Sequence, residues 1–185
     1  MAPSDDIVTP RLLLRLMEGD VVDACLAGDL ARAGKSLGVA IPGVLLDKPS
    51  GLKFAQTRLT EDPLYRPWSM RAIILPDAKK MVGHVRFHSR PDPDDLHPYA
   101  RSAVELGYQV FPAYRRRGYA SEAVGAAMHW AQAAFGIHRF VASVAPDNKP
   151  SLALIGRFGF AKVGRQVDEV DGIEDVYLRE VVNGG

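Results

Sequence analysis

The 185-residue sequence has a single cysteine, no long hydrophobic run and almost no net charge. Cys25 cannot form an internal disulfide, and its apolar neighbours favour a small core residue over a nucleophile. No stretch approaches the ~18 apolar residues that span a bilayer. Asp5 and Asp6 stand where a signal peptide would be basic. These absences predict a cytoplasmic protein that is neither secreted nor inserted in a membrane.

The charges nearly cancel, because 23 Lys and Arg residues oppose 22 Asp and Glu residues. No global field therefore recruits nucleic acid or an anionic membrane, and any anion site has to be local. The apolar fraction of 47% and the charged fraction of 24% are typical of a globular protein. A chain of this length can bury one core, so residues 1–185 are expected to form a single domain.

The first half of the sequence predicts a strand and two helices, followed by an antiparallel meander. Residues 11–15 have the pattern of a strand, and Asp20 can cap the helix after it. Glycines and prolines predict irregular chain at 34–49, after which Ser50 can cap a second helix. The meander would use three strands: 68–75, 81–88 and 103–110.

The pattern then changes to that of a strand, helix, strand unit. Residues 118–135 are rich in alanine and carry one apolar stripe, which predicts a long helix ending at Gly136. The apolar run at 138–144 is suited to a buried strand. Because a long helix connects the two strands, the strand at 138–144 should run parallel to the one at 103–110.

The last part of the chain predicts a short helix and a hairpin. Asn148 is a favourable N-cap for the helix, and Gly159 can terminate it. Two strand patterns, 160–167 and 174–182, flank the turn signal Asp171-Gly172. No internal repeat, low-complexity tract or interdomain linker interrupts the sequence.

A basic segment with one glycine lies between the strand at 103–110 and the long helix. It reads Arg115-Arg116-Arg117-Gly118-Tyr119-Ala120-Ser121. A helix N-terminus presents unpaired amides, and Gly118 would let an anion approach the main chain because it has no Cβ. The arginines could instead form a solvated charge cluster, but their place between a strand and a helix favours a phosphate site. The glycine spacing excludes dinucleotide-binding and Walker-type loops.

Several short motifs, spread over nearly the whole chain, carry a family resemblance. They are Thr9-Pro10-Arg11-Leu-x-Leu-Arg15, Glu105-Leu-Gly107-Tyr108, Arg115-x-x-Gly118-x-Ala120, Gly118-Tyr-Ala-x-Glu122-Ala, Asn148-x-x-Ser151 and Gly159-Phe160. The third matches the coenzyme signature Arg/Gln-x-x-Gly-x-Gly/Ala of the GNAT superfamily of N-acetyltransferases. Taken together, the motifs resemble the RimJ/RimL-like branch, which acetylates ribosomal-protein N-termini.

The resemblance implies an α/β (α+β) GNAT fold and acetyl-CoA as cosubstrate, with no metal. The central sheet would be mixed and mostly antiparallel, splayed open at a parallel strand pair beside the strand that ends at Val110, with about four flanking helices. The pantetheine arm would pair with main chain at Gln109, Val110 and Phe111 and would bond to Asn148. The pyrophosphate would lie over the loop and helix start: Arg115, Arg116, Arg117, Gly118, Tyr119, Ala120 and Ser121.

The implied reaction is direct attack of a neutral primary amine on the thioester, without an acyl-enzyme. Glu105 stands where relatives carry a general base, although it could simply face solvent or pair with an arginine. Ser151 matches a hydroxyl thought to protonate the leaving thiolate, although bonding at a helix start would also explain it. His84 and His88 share a strand face but lack a zinc-binding spacing, so no metal site is predicted.

The resemblance favours a protein N-terminal amine as the acceptor. Polyamines, amino acids and aminoglycosides stay open, because the regions that would select the acceptor, 34–65 and 89–101, carry no recognisable motif. Two other classes are a non-catalytic acyl-CoA-binding module and an RNA- or ribosome-contacting protein that uses residues 115–117. The near-neutral charge argues against nucleic acid. A homodimer is compatible with the sequence, and no membrane partner is expected.

Overall fold

The computed structural model of the protein describes residues 6–168 and 172–181. Its α-helices are α1 (Gly19–Leu26), α2 (Leu30–Leu37), α3 (Ser50–Glu61), α4 (Tyr119–Phe135) and α5 (Lys149–Arg157). Its strands are β1 (Ile7–Val8), β2 (Leu13–Leu16), β3 (Arg71–Leu75), β4 (Lys80–Phe87), β5 (Ala103–Val110), β6 (Arg139–Val144), β7 (Ala161–Asp168) and β8 (Gly172–Glu180). Short 3-10 helices lie at Gly43–Leu46, Pro63–Trp68, Asp94–Leu96 and Pro112–Tyr114.

The strands form one open sheet in the order β1-β2-β3-β4-β5-β6-β8-β7. Neighbouring strands in the described chain run antiparallel, except that β5 and β6 are parallel. Helix α4 connects this parallel pair, as a crossover between parallel strands requires. The predicted mixed α/β fold with one parallel pair is confirmed.

The sheet splays open between β5 and β6. The two strands pair only where Ala103–Glu105 meets Arg139–Val141. Beyond Glu105, β5 stays paired with β4 as far as Val110, whereas β6 stays paired with β8. The strands diverge because each follows its other neighbour. The sheet therefore opens beside the strand that ends at Val110, as expected from the sequence, and within that strand the opening begins after Glu105.

Helix α2 was missed because the sequence pattern at Gly34 was interpreted as a break. Gly34 instead lies inside the helix, where an ideal Cβ would be 2.8 Å from the Val39 carbonyl oxygen. Asp29 caps the helix by accepting from the Arg32 N–H at 3.0 Å, and Gly38 ends it at φ +79. The described chain thus has five α-helices, where about four were expected.

Several predicted boundaries also shift. Helix α1 begins before Asp20, which lies in its first turn and not at the cap. Trp68 belongs to a 3-10 helix and not to β3. The loop at 89–101 contains a short 3-10 helix, and the side chain of Leu96 in this helix is buried in the protein. The hairpin follows the predicted strands, but Asp171 and Val182 lie outside the described residues.

Apolar side chains cover both faces of the sheet. Helix α4 packs on one face through a cluster that includes Leu106, Trp130 and Phe140. Helices α1 to α3 cover part of the other face through a cluster that includes Cys25. Cys25 is buried in this cluster, so it belongs to the core as predicted. Burial also raises the pKa of its thiol to about 11. Within residues 6–168 and 172–181, no helix has the length and apolar character needed to cross a bilayer.

The close approach of β4 to β5 at Gly83 predicts a sensitive position. An ideal Cβ at Gly83 would lie 2.2 Å from the Gln109 carbonyl oxygen, so Gly83→Ala has to displace the strand pair. We expect the free energy of unfolding to fall by about 1–3 kcal/mol, measured by urea denaturation. Gly156→Ala is the matched control, because nothing lies within 4 Å of its Cβ in α5. Equal stability of the two variants would contradict the prediction.

Candidate active site

A groove of about 950 Å³ lies where the open end of β5 meets the first turns of α4 and α5. Its walls include most of the predicted coenzyme residues: Gln109, Val110, Arg115, Arg116, Gly118, Tyr119, Ala120, Ser121 and Asn148. The predicted catalytic residue Ser151 also lines it. Phe111, Arg117 and Glu105 are not among its lining residues. One groove thus brings together residues that the sequence had distributed over three elements.

The floor of the groove is the uncapped N-terminus of α4. Gly118 is the N-cap residue, with φ +79, and no side chain caps the helix. The first intrahelical bond runs from the Glu122 N–H to the Gly118 carbonyl at 3.0 Å. The preceding N–H groups, of Tyr119, Ala120 and Ser121, therefore have no partner inside the helix. They give this end of the groove a partial positive charge.

The three arginines before Gly118 have different positions. Arg115 donates from Nε to the Val110 carbonyl at 3.0 Å and ties the loop to the end of β5. Arg116 lines the groove and holds a left-handed φ of +61. Arg117 lies over the Tyr114 ring, with its guanidinium carbon 5.8 Å from the ring centre. Arg115 and Arg116 therefore face the groove, and Arg117 does not.

The open edge of β5 presents main-chain groups of alternate residues. The His88 N–H bonds to the Glu105 carbonyl, and the Phe111 N–H bonds to the Val82 carbonyl, each at 2.9 Å. The antiparallel register between them is unbroken, so odd-numbered residues of this segment direct their main chain toward β4. Tyr108 and Val110 consequently face the opening. The pairing expected at Gln109 and Phe111 is not available on that edge, and Phe111 itself is buried.

Glu105 is the last residue of β5 that pairs with β6, so its carboxylate lies where the opening begins. The side chain is buried, and Oε2 lies 3.3 Å from Nδ1 of His88. Burial alone would raise the pKa of Glu105, but hydrogen bonds and charge from His88, together with hydrogen bonds from Ser143, lower it below its ordinary value. Glu105 therefore neither faces solvent nor pairs with an arginine, and it is ionised at neutral pH.

Two hydroxyl groups lie at the groove on the other face of the sheet. Asn148 caps α5 by accepting from the Ser151 N–H at 3.3 Å, as predicted, and Ser151 lines the groove beside it. Tyr108 also lines the groove, and its buried hydroxyl has no hydrogen-bond partner among the described residues. Burial raises the pKa of Tyr108, and the nearby Ser151 hydroxyl opposes this only in part, without a hydrogen bond of good geometry.

Tyr108 is the groove residue whose position the sequence left least defined. From the sequence, Tyr108 is most simply a packing residue, and a place at the border of the site is the alternative. Even-numbered residues of β5, such as Leu106, pack toward α4, and Tyr108 shares their face but lies beyond the last β5–β6 pair. The strand pattern alone could give the face, but only the point of divergence shows that Tyr108 lies at the groove.

The histidines near Glu105 form a polar face and not a recognisable metal centre. His84 is buried, with Nε2 at 3.1 Å from the Gln109 side-chain oxygen. Burial, helped by the charge of Arg86 and opposed by Gln109, lowers the pKa of His84 to about 3, so its ring is neutral. Across residues 6–168 and 172–181, no three His, Cys, Asp or Glu side chains converge as metal ligands.

The low pKa of Glu105 depends on His88. In His88→Phe an aromatic ring is kept but the hydrogen bond from His88 is lost, so only Ser143 opposes the effect of burial and the pKa of Glu105 should rise. A ¹³C NMR titration of glutamate carboxyl groups, assigned with Glu105→Gln, measures this shift. His97→Phe is the control, since His97 contacts Asp92 and Asp94 instead. An unchanged Glu105 pKa in His88→Phe would contradict the assignment.

Comparison with known proteins places this geometry in a family. Residues 11–161 match the family model described as the acetyltransferase (GNAT) domain. The [ribosomal protein uS5]-alanine N-acetyltransferase of Escherichia coli is 34% identical over 93 residues, which cover 50% of this chain and 45% of that protein. The uncharacterized N-acetyltransferase YoaA of Bacillus subtilis is 34% identical over 88 residues, covering 48% and 46%. The chain thus spans about half the length of the curated relatives it matches.

Solved structures resemble the chain over nearly its whole length. The ribosomal-protein-S5-alanine acetyltransferase from Vibrio fischeri has a TM-score of 0.65 at 18% identity, covering 95% of this chain and 96% of that one. A RimL ribosomal L7/L12 alpha-N-protein acetyltransferase in complex with coenzyme A also has a TM-score of 0.65, at 20% identity, covering 96% and 98%. At these identities the likeness establishes the fold.

Proposed function

This chain belongs to the GNAT acetyltransferase family, and we propose that it transfers an acetyl group from acetyl-CoA to a primary amine, that of a protein N-terminus. The observation that carries this proposal is the uncapped start of α4 at the floor of the groove. Free amides at Tyr119, Ala120 and Ser121 suit a diphosphate, which is anionic and rich in acceptors. Arg115 and Arg116 add full positive charges at the same wall.

The open edge of β5 is suited to the amide-containing arm of the coenzyme. Tyr108 and Val110 carry the main-chain donors and acceptors that face the opening. The Val110 carbonyl already accepts from Arg115, but a carbonyl oxygen has two lone pairs and can accept again. Asn148, at the facing end of α5, offers a side-chain amide from the other wall. Acetyl-CoA would supply the thioester that holds the acetyl group.

Glu105 acts as the general base. Its carboxylate is ionised, lies where the opening begins, and is held by His88 at 3.3 Å. An amine that enters from the Glu105 face of the sheet can pass a proton to this carboxylate directly or through water. The buried setting strengthens the attraction between the carboxylate and an incoming ammonium group, because the local dielectric is low.

Ser151 acts as the proton donor for the departing sulfur, with Tyr108 beside it. Both residues line the groove, and the buried Tyr108 hydroxyl lacks a hydrogen-bond partner in the described chain. Its raised pKa keeps it protonated at neutral pH. Because these hydroxyls and Glu105 lie on opposite faces of the sheet, proton removal and proton donation are separated by the opening.

The acceptor is proposed from the relatives and not from a pocket. The Escherichia coli relative is named as an alanine N-acetyltransferase of a ribosomal protein, which favours a protein N-terminal amine here. Polyamines, amino acids and aminoglycosides are the small-molecule alternatives. A non-catalytic module would bind the coenzyme without transferring its acetyl group to any of these amines.

The phosphate site predicts that Gly118→Glu abolishes coenzyme binding. A carboxylate at 118 would place negative charge at the free amides, where a diphosphate would otherwise bind. Isothermal titration of coenzyme A measures the loss. Gly136→Glu is the matched control: Gly136 lies at the other end of α4 with a similar φ of +68, so the backbone strain is alike. Equal affinity in the two variants would count against the site.

The proposed base predicts a pH-dependent loss of turnover in Glu105→Gln. Thiol release from acetyl-CoA should be observed with alanine-initiated peptides and should fall by about 10²-fold or more at pH 7 in the variant. The loss should shrink at high pH, where free amine is abundant. Glu180→Gln is the control, because Glu180 pairs with Arg139 on the exposed surface.

Three other outcomes would be informative in this assay. An equal loss at every pH would reject the base role of Glu105. Turnover with polyamines or aminoglycosides but not with peptides would move the acceptor to small molecules. Coenzyme binding by the unmodified protein without thiol release from any amine would replace the enzyme with a binding module.

A further inference from the structure

The segment before β2 reaches the first turn of α4, more than a hundred residues later in the chain. Arg11 donates from Nε to Oε2 of Glu122 at 2.7 Å, and its Nη2 lies 2.6 Å from the same oxygen. The Arg11 main-chain N–H donates to Oε1 at 2.9 Å, and the Thr9 hydroxyl donates to Oε1 at 2.6 Å. Both oxygens of the Glu122 carboxylate are therefore bound by Thr9 and Arg11.

The same arginine also holds the loop that precedes α4. Its Nη1 donates to the Arg117 carbonyl at 2.9 Å, and its guanidinium carbon lies 5.1 Å from the centre of the Tyr119 ring. An ideal Cβ at Gly118 would lie 3.2 Å from Nη2. One side chain thus contacts the residues on both sides of Gly118 and packs beneath Gly118 itself, although Arg11 does not line the groove.

Glu122 creates an electrostatic conflict that this contact can resolve. An acid in the first turn stabilises the helix but repels an anion bound at the same end. Burial raises the pKa of Glu122, but hydrogen bonds from Thr9 and Arg11 and the charge of Arg11 lower it below its ordinary value. The carboxylate therefore stays ionised, and a nearby cation has to offset its charge if an anion is to bind.

We propose that Arg11 is a positioning residue for the coenzyme: it fixes the loop through the Arg117 carbonyl and offsets the charge of Glu122 beside the diphosphate site. This inference rests on the proposed coenzyme function. Arg11 does not itself line the groove but contacts Gly118 and Tyr119, which do, so it acts through the main chain at 117–121 and through the local field. Its contribution is specific to the diphosphate part of the ligand.

Arg11→Ala should weaken coenzyme A binding about tenfold, because the Glu122 carboxylate is then left without its cation beside the proposed diphosphate site. Isothermal titration gives the dissociation constant. The kcat/KM for S-acetylpantetheine, which lacks the diphosphate, should change far less than that for acetyl-CoA. In Arg11→Ala/Glu122→Gln the uncompensated carboxylate is gone, so affinity for coenzyme A should recover by several-fold relative to Arg11→Ala.

Arg15→Ala is the matched control, because Arg15 lies in β2 and pairs with Asp6 away from the groove. It removes the same formal charge and should leave coenzyme A affinity unchanged. Equal affinities of Arg11→Ala and Arg15→Ala would overturn the proposal, as would a double variant no tighter than Arg11→Ala. If Arg11→Ala does not fold, Arg11→Lys should bind several-fold more weakly than the unmodified protein, and equal binding would overturn it. No coenzyme binding by the unmodified protein would instead reject the proposed function.

Discussion

The uncapped first turn of α4 is the feature on which the rest of the site depends. Gly118 has no side chain and can adopt φ +79, so the loop can turn into α4 at this residue. The first amides of the helix are then left open to the groove. The sheet holds this turn in place, because β5 leads into the loop and α4 packs on the face that carries Leu106. A helix N-terminus in this setting is suited to bind an anion through its main chain, and in the proposed site the side chains only tune that binding.

The divergence of β5 and β6 gives the site its second property, which is that residues from both faces of the sheet lie beside one opening. Glu105 lies at the last paired position on one face, and Tyr108 lies farther along the opening on the other. Strand alternation keeps the proposed base and the proposed proton donors on different faces, while leaving both next to the same opening. The contact with His88 then helps to keep the Glu105 carboxylate ionised, since burial alone would favour the neutral acid.

Local signals in the sequence were sufficient for much of this site. The alanine-rich run, Gly118 and Asn148 predicted α4, its loop and the cap of α5, because each depends on neighbouring residues. Long-range geometry was not predictable in the same way. The start of the opening depends on how far β6 follows β8, and Arg11 meets Glu122 only after the sheet has formed. Gly34 misled the helix prediction because it lies inside α2, where the chain turns back at the helix end and a Cβ would meet the Val39 carbonyl oxygen.

The main chain at the start of α4 is the proposed binding site for the coenzyme's diphosphate. A titration of ¹⁵N-labelled protein with coenzyme A, followed by amide NMR shifts, tests it most directly. We expect the largest amide shifts at residues 116–121, and we expect no shifts at the C-terminal end of α4 near Gly136. Saturable binding that leaves those amides unshifted and perturbs another region would contradict it.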